Sequence, residues 1–230
     1  MREQRSEPSV SIPSGDVELE GLLEVPARAS GIVVFSHGSG SGRRSPRNQY
    51  VAQHLYNAGL ATLLLDLLTV DEDRDYETRF DIDLLTERLS DAVRFIRGQA
   101  GTQSLPVGLF GASTGAASAL RVAAKLPADV RAVVSRGGRP DLTGSELLPR
   151  VQAATLLIVG GHDYGVIELN EDAHRLLRCE KNIAIVPGAT HLFEEPGTLE
   201  AVARLATEWF VRYLPEGKAA RAPAAGGKPA

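Results

Sequence analysis

The stretch Gly111-Ala112-Ser113-Thr114-Gly115 constrains this chain more than any other. It follows an apolar run over residues 105–110 and opens a small-residue segment containing Ala116, Ala117, Ala119, Leu120 and Val122. Strand, tight turn, helix is the setting in which a G-x-S-x-G pattern carries information. A serine at such a turn is held in a strained backbone conformation, with its hydroxyl pushed out above a sheet. Gly111 and Gly115, two residues either side of Ser113, are expected to let the strand and the helix pass closely. The pentapeptide alone also fits an ordinary tight strand-to-helix turn, because Gly, Ser and Ala are common residues. The rest of the chain separates the two readings.

Apolar runs and helical patterns alternate along the chain. Residues 10–12 and then Val17, Leu19, Gly21 and Leu23 alternate around Pro13-Ser14-Gly15, which predicts a β-hairpin. Residues 31–36 form a continuous β-branched run, as in a strand covered on both faces, and lead into the glycine-rich loop His37-Gly38-Ser39-Gly40. Ser45-Pro46 reads as the cap and first residue of a helix whose buried face carries Val51, Leu55 and Ala58, with Gly59 ending it. Further strands are predicted over residues 60–65, 105–110, 130–135, 153–159 and 183–186. Ile82, Leu85, Leu89, Val93 and Ile96 mark one helix, and Leu199, Val202, Leu205, Ala206, Trp209 and Phe210 mark the last. The acidic stretch over residues 71–77 reads as a solvated loop, and residues 136–140 as another.

Strands alternating with helices behind an opening hairpin imply an α/β protein. Its central sheet is mostly parallel, with an N-terminal antiparallel hairpin and helices on both faces. The 230 residues fit one such domain over residues 1–215, and the Ala-, Pro-, Gly- and Lys-rich tail over residues 216–230 is expected to be disordered. No segment is long enough for a large lid domain. A net charge of −4 disfavours a nucleic-acid surface, and no apolar run approaches a membrane span. The single cysteine, Cys179, excludes an internal disulfide and suits a reducing compartment. Residues 1–8 are polar and lack the apolar core of a signal peptide, so a cytoplasmic protein is expected.

In parallel sheets chemistry gathers at the carboxyl ends of the strands. Just beyond those ends stand His37-Gly38-Ser39-Gly40, Asp66, Ser113, Arg136, Asp163 and His191. A serine hydroxyl is a poor nucleophile until an imidazole removes its proton, and the imidazole needs a carboxylate to fix its tautomer. A hydroxyl, a carboxylate and an imidazole converge on one edge here, in the chain order Ser, Asp, His.

On His37-Gly38-Ser39, Gly111-Ala112-Ser113-Thr114-Gly115, Gly161-His162-Asp163 and Gly188-Ala189-Thr190-His191-Leu192-Phe193, the chain resembles an α/β-hydrolase. Within that group it is similar to the compact dienelactone-hydrolase-like proteins that lack a large lid. The resemblance runs from the hairpin to Phe210. It implies Ser113 as nucleophile, Asp163 as orienting acid and His191 as general base. Dienelactone hydrolases proper carry a cysteine at the nucleophile position, where this chain has Ser113, so their substrate is not carried over.

An oxyanion hole needs two backbone N–H groups aimed at the developing alkoxide. Thr114 is expected to supply one and Ser39, or its neighbour Gly40, the other. His37 reads as a buried, hydrogen-bonded structural group. His54 and His174 fall within helices, and His162, beside Asp163, lines the site at most. Asp66 and Asp141 are rivals to Asp163, and Asp66 reads as a structural loop residue. The glycine-rich loop after the first parallel strand has Arg43 where a dinucleotide fingerprint needs glycine, and a P-loop fails at the same position. No metal-ligand spacing and no cofactor are indicated. Arg43, Arg44, Arg136 and Arg139 are read as solvated or ion-paired, with binding of a substrate carboxylate or phosphate as the alternative.

The sequence therefore predicts a serine hydrolase that cleaves carboxylic esters of small or short-acyl substrates, with a small-molecule ester as its partner. A thioesterase, amidase or acyltransferase would use the same triad. A non-catalytic hydrolase-like binding protein is the alternative from another class.

Overall fold

A computed structural model describes residues 9–215 of the chain. The tail expected over residues 216–230 and the polar start over residues 1–8 lie outside the described residues. Within the described residues eight strands form one sheet: β1 (Ser9–Ser14), β2 (Val17–Glu24), β3 (Ile32–Ser36), β4 (Ala61–Leu65), β5 (Val107–Ala112), β6 (Val130–Arg136), β7 (Ala154–Gly160) and β8 (Lys181–Val186). Their order is β1-β2-β4-β3-β5-β6-β7-β8. The β1/β2 and β2/β4 pairs are antiparallel and the rest are parallel. The expected α/β-hydrolase architecture is what the chain adopts, and no lid domain covers the sheet edge among the described residues.

Several boundaries differ from expectation for local reasons. The hairpin turns at Gly15, with φ +57°, so Pro13 stays in the ladder opposite Glu18. Strand β1 is an edge strand, where proline's missing N–H leaves no ladder bond unmade. Strand β5 runs two residues past the apolar run, because Gly111 and Ala112 pair with Ser135 and Arg136 of β6. Arg136, read as a loop residue, is thus the last rung of β6. The acidic stretch contains a 3₁₀ turn over Glu72–Arg74, with a second over Thr78–Phe80 just after it. It is not simply solvated: Glu72 accepts from the buried Arg88 at 3.0 Å.

Among the described residues five helices flank the sheet: α1 (Pro46–Asn57), α2 (Ile82–Gly98), α3 (Thr114–Lys125), α4 (Tyr164–Leu176) and α5 (Thr198–Tyr213). Ser45 caps α1 by accepting the Asn48 N–H, with Pro46 in the first turn, and Asp81 caps α2 by accepting the Leu84 N–H at 3.0 Å. Helices α1 and α5 cover one face, where Val51, Leu55, Val202 and Phe210 pack with Phe35, Phe110 and Val134. Helices α2 and α3 cover the other, with Leu89, Val93 and Leu120 against Val34, Leu63 and Leu109. Each such side chain contributes about 1.5–3 kcal/mol by leaving water.

From β3 the chain passes to β4 on one side and returns across β3 to β5 on the other. The crevice between the loops after β3 and β5 is therefore a topological switch point, where ligands bind in open α/β sheets. Those two loops carry Ser39 and Ser113.

Candidate active site

Ser113 sits between β5 and α3 with φ +51° and ψ −121°, a region costly for any residue with a Cβ. Its backbone is fixed from three directions. The Ser113 N–H donates to the Arg136 carbonyl at 3.2 Å, and the Ser113 carbonyl accepts from Ala116 N–H and Arg139 N–H, each at 3.1 Å. The glycines are required by space. A Cβ on Gly111 would lie 2.4 Å from Ala116 Cα, and one on Gly115 would lie 2.2 Å from the Ser36 carbonyl oxygen.

His191 stands on the loop after β8, and its imidazole joins the other two groups. Nδ1 lies 2.7 Å from Asp163 Oδ2, and Nε2 lies 3.3 Å from Ser113 Oγ. An ionised carboxylate only accepts, so Nδ1 carries the proton and Nε2 offers its lone pair to the serine. Asp163 is held at the start of α4, where its own N–H donates to the Gly160 carbonyl at 3.0 Å. The histidine loop is folded by Thr190, whose hydroxyl donates to Glu195 at 2.6 Å, and anchored by the buried Phe193 with φ +56°.

Both residues expected to form the oxyanion hole meet beside Ser113. The Ser39 N–H donates to Thr114 Oγ1 at 3.1 Å. The spacing gave no sign of this side-chain bond, because it depends on two loops meeting in space. Ser39 and Gly40 are exposed, whereas Thr114 is buried.

His37 is buried and structural, as expected. The Leu67 N–H donates to His37 Nε2 at 2.9 Å, so the other nitrogen carries the proton and donates to the Gly38 carbonyl, also at 2.9 Å. Burial holds its pKa below the ordinary histidine value. The ring therefore ties the loop after β3 to the loop after β4 in a neutral state. His54 is exposed on α1 and His174 lies on α4. His162 is exposed beside Asp163. Asp66 accepts the Arg43 N–H at 2.6 Å and pairs with the Arg43 guanidinium, and Asp141 pairs with Arg139. Neither rival carboxylate is hydrogen-bonded to His191 among the described contacts.

The four arginines divide. Arg43 is held by Asp66 and Glu20, and Arg139 by Asp141. Arg44 is exposed and has a partner of its own. Arg136 is only 6% exposed, and its guanidinium lies over the Phe193 ring at 5.8 Å. Burial, with the field of Arg47 added, pushes its pKa down to about 10. Period-2 alternation with Ala132 and Val134, both buried on the same face, is the sequence signal that points to this burial.

Cys179 lies beyond α4 with its sulfur 3.7 Å from Thr155 Oγ1, and burial raises its pKa. Beside the site a cleft of about 550 Å³ opens between Ser39, Ser45, Arg47, Leu68 and Val70. Among the described residues no group of His, Cys, Asp or Glu side chains is arranged to hold a metal ion, and no helix is long and apolar enough to cross a membrane.

The dienelactone hydrolase family model matches residues 19–214. A solved structure of a dienelactone hydrolase from Anabaena variabilis is 57% identical, covers 90% of this chain and 97% of its own, and superposes with a TM-score of 0.87. Est1E from Butyrivibrio proteoclasticus has the same fold at 15% identity, with a TM-score of 0.76 over 89% of this chain and 98% of its own. Two Mycobacterium tuberculosis proteins carrying a provisional phosphoribosyl transferase name are 56% identical over 205 residues, which is 89% of this chain and 46% of theirs. The chain thus spans about half the length of the curated relatives it matches.

Proposed function

The chain belongs to the dienelactone hydrolase family, and on that premise we propose that it is a serine hydrolase of carboxylic esters, with Ser113 as nucleophile, His191 as general base and Asp163 as its orienting acid. One observation carries this reading. A single imidazole faces a carboxylate at 2.7 Å through one nitrogen and a serine hydroxyl on a strained turn at 3.3 Å through the other. A binding module has no use for that arrangement.

In the proposed reaction Ser113 Oγ attacks the ester carbonyl carbon while its proton passes to His191 Nε2. Asp163 stabilises the imidazolium. The tetrahedral oxyanion is received by the backbone N–H of Thr114, at the positive end of α3, and by that of Ser39, whose proton is shared between Thr114 Oγ1 and the oxyanion in a bifurcated bond. The alcohol leaves with the proton from His191. Water then attacks the acyl-enzyme with His191 again as base, and the acid departs. The site is open among the described residues, which supports small or short-acyl substrates.

The phosphoribosyl transferase name of the longer relatives belongs to chains of which the matched stretch is 46%, and it assigns no activity to that stretch. The test is hydrolysis of 4-nitrophenyl acetate, butyrate and octanoate by the wild type and by Ser113→Ala. Turnover falling with chain length, and lowered about 10³-fold or more in the variant, supports the reading. Wild-type turnover that the variant keeps would sink it.

A further inference from the structure

Arg136 is a buried cation that the triad does not use. Its side chain shares the α1/α5 face of the sheet with Val134 and Ala132. It ends the strand whose last carbonyl holds the Ser113 N–H, so it stands one ladder rung from the nucleophile. The guanidinium lies over Phe193, two residues after His191, and feels the charge of Arg47 in the first turn of α1. It makes no ion pair and no hydrogen bond to another described residue.

Such a group is expensive to keep. A desolvated charge without a partner is strongly destabilising, and an apolar side chain of similar volume would pack there more favourably. Arg43, Arg139 and Arg88 show how this fold ordinarily satisfies an arginine, with an acid beside each. Arg47 adds a second incomplete guanidinium. One of its terminal nitrogens reaches Glu194 at 2.9 Å, but its Nε is buried with no hydrogen-bond partner. Glu194 is itself largely exposed. Arg47 and the N-terminal end of α1 thus line the cleft that borders Ser39, and the field of Arg47 reaches the buried Arg136.

We propose that Arg136, together with Arg47, binds a phosphate group carried by the substrate, so that the ester cleaved at Ser113 belongs to a phosphorylated small molecule. The proposal rests on the ester-hydrolase reading above and adds the substrate class. Acceptor count favours phosphate. With Arg47 already paired to Glu194, a phosphate still offers three oxygens to the planar forks of the two guanidinium groups, whereas a carboxylate offers two. The phosphate is recognised and stays intact; the bond broken is the ester.

The test uses the whole chain in three forms: wild type, Arg136→Met and Arg136→Lys. Inorganic phosphate is titrated calorimetrically into each, which requires no turnover. Hydrolysis is compared for three 4-nitrophenyl esters of matched length: neutral butyrate, carboxylate-bearing hemisuccinate and phosphonate-bearing 3-phosphonopropanoate. We expect phosphate to bind the wild type at one site and to bind Arg136→Met roughly 10- to 100-fold more weakly, the range of a charge-assisted contact. The wild-type preference in kcat/KM for the phosphonate ester over butyrate should collapse by a similar factor in Arg136→Met, with Arg136→Lys between. Phosphate should also compete with butyrate in the wild type, which stands even if the Met variant does not fold. Equal phosphate binding by wild type and Arg136→Met overturns the site, and preference for the hemisuccinate overturns the phosphate assignment. Arg136-dependent phosphate binding with no ester turnover would uphold the site and reject the hydrolase. Ser113-dependent turnover with no anion preference would do the reverse.

Discussion

The amide of Ser39 and the hydroxyl of Thr114 are joined by a hydrogen bond of 3.1 Å across the crevice between β3 and β5. In the proposed reaction Thr114 would thus do more than supply its own N–H. Its hydroxyl would also fix the orientation of the loop proposed to supply the second donor. Thr114→Val keeps the backbone donor and the shape but removes the acceptor. It should lower kcat about 5-fold, the worth of one neutral hydrogen bond, while KM changes little. Thr114→Ser should restore kcat. Steady-state kinetics on 4-nitrophenyl butyrate decide this, and equal loss in the Val and Ser variants would contradict it.

Asp163 is the only carboxylate described in contact with His191, through Nδ1 at 2.7 Å. Asp163→Asn preserves volume but presents an amide that can favour the wrong imidazole tautomer. We expect kcat to fall by about 10³- to 10⁴-fold with an unchanged circular dichroism spectrum. Asp66→Asn should leave kcat within a few-fold and lower the melting temperature instead, because Asp66 holds Arg43.

His37 predicts a pH dependence of stability. Its folded pKa is held below 6.5 by burial, and on unfolding it returns to the ordinary value. The unfolded chain therefore binds the extra proton first as pH falls. The contribution is fully present above about pH 6.5 and is lost as pH drops below it toward the folded value. Melting temperature measured between pH 5 and 8 should fall more steeply on the acid side in wild type than in His37→Gln. Parallel curves would contradict the assignment.

Gly115 tests the packing of the elbow. A Cβ there would lie 2.2 Å from a backbone oxygen of Ser36 and 2.5 Å from that of His37, neither of which can rotate away. Gly115→Ala should destabilise by about 3 kcal/mol, at the upper end of overpacking, and should lower the urea midpoint accordingly. Gly165→Ala, on open helix surface with nothing within 4 Å, should be neutral or mildly stabilising.

The features legible in the sequence were those fixed by local chemistry. Ser113 stood out because its glycines, the strand before it and the helix after it are contiguous. Asp163 and His191 followed because each stands just past an apolar run. The end of β5 is not legible in the sequence, because Gly111 and Ala112 do not extend the run of large apolar residues, although their ladder to Ser135 and Arg136 is intact. Arg136 reads as a loop residue because a charged residue at a strand's end looks like a solvated one, and only its alternation with Val134 says otherwise. The Ser39–Thr114 bond joins residues 75 positions apart, and no spacing rule encodes it.

The most direct test of the account is covalent labelling by a fluorophosphonate, which reacts with a serine only when an imidazole activates it. Wild type, Ser113→Ala and His191→Ala would each be treated, weighed intact and mapped by peptide mass spectrometry. The account predicts one adduct on wild type, located on Ser113, none on Ser113→Ala and strongly slowed labelling of His191→Ala. Unlabelled wild type, or an adduct on a different serine, would contradict it.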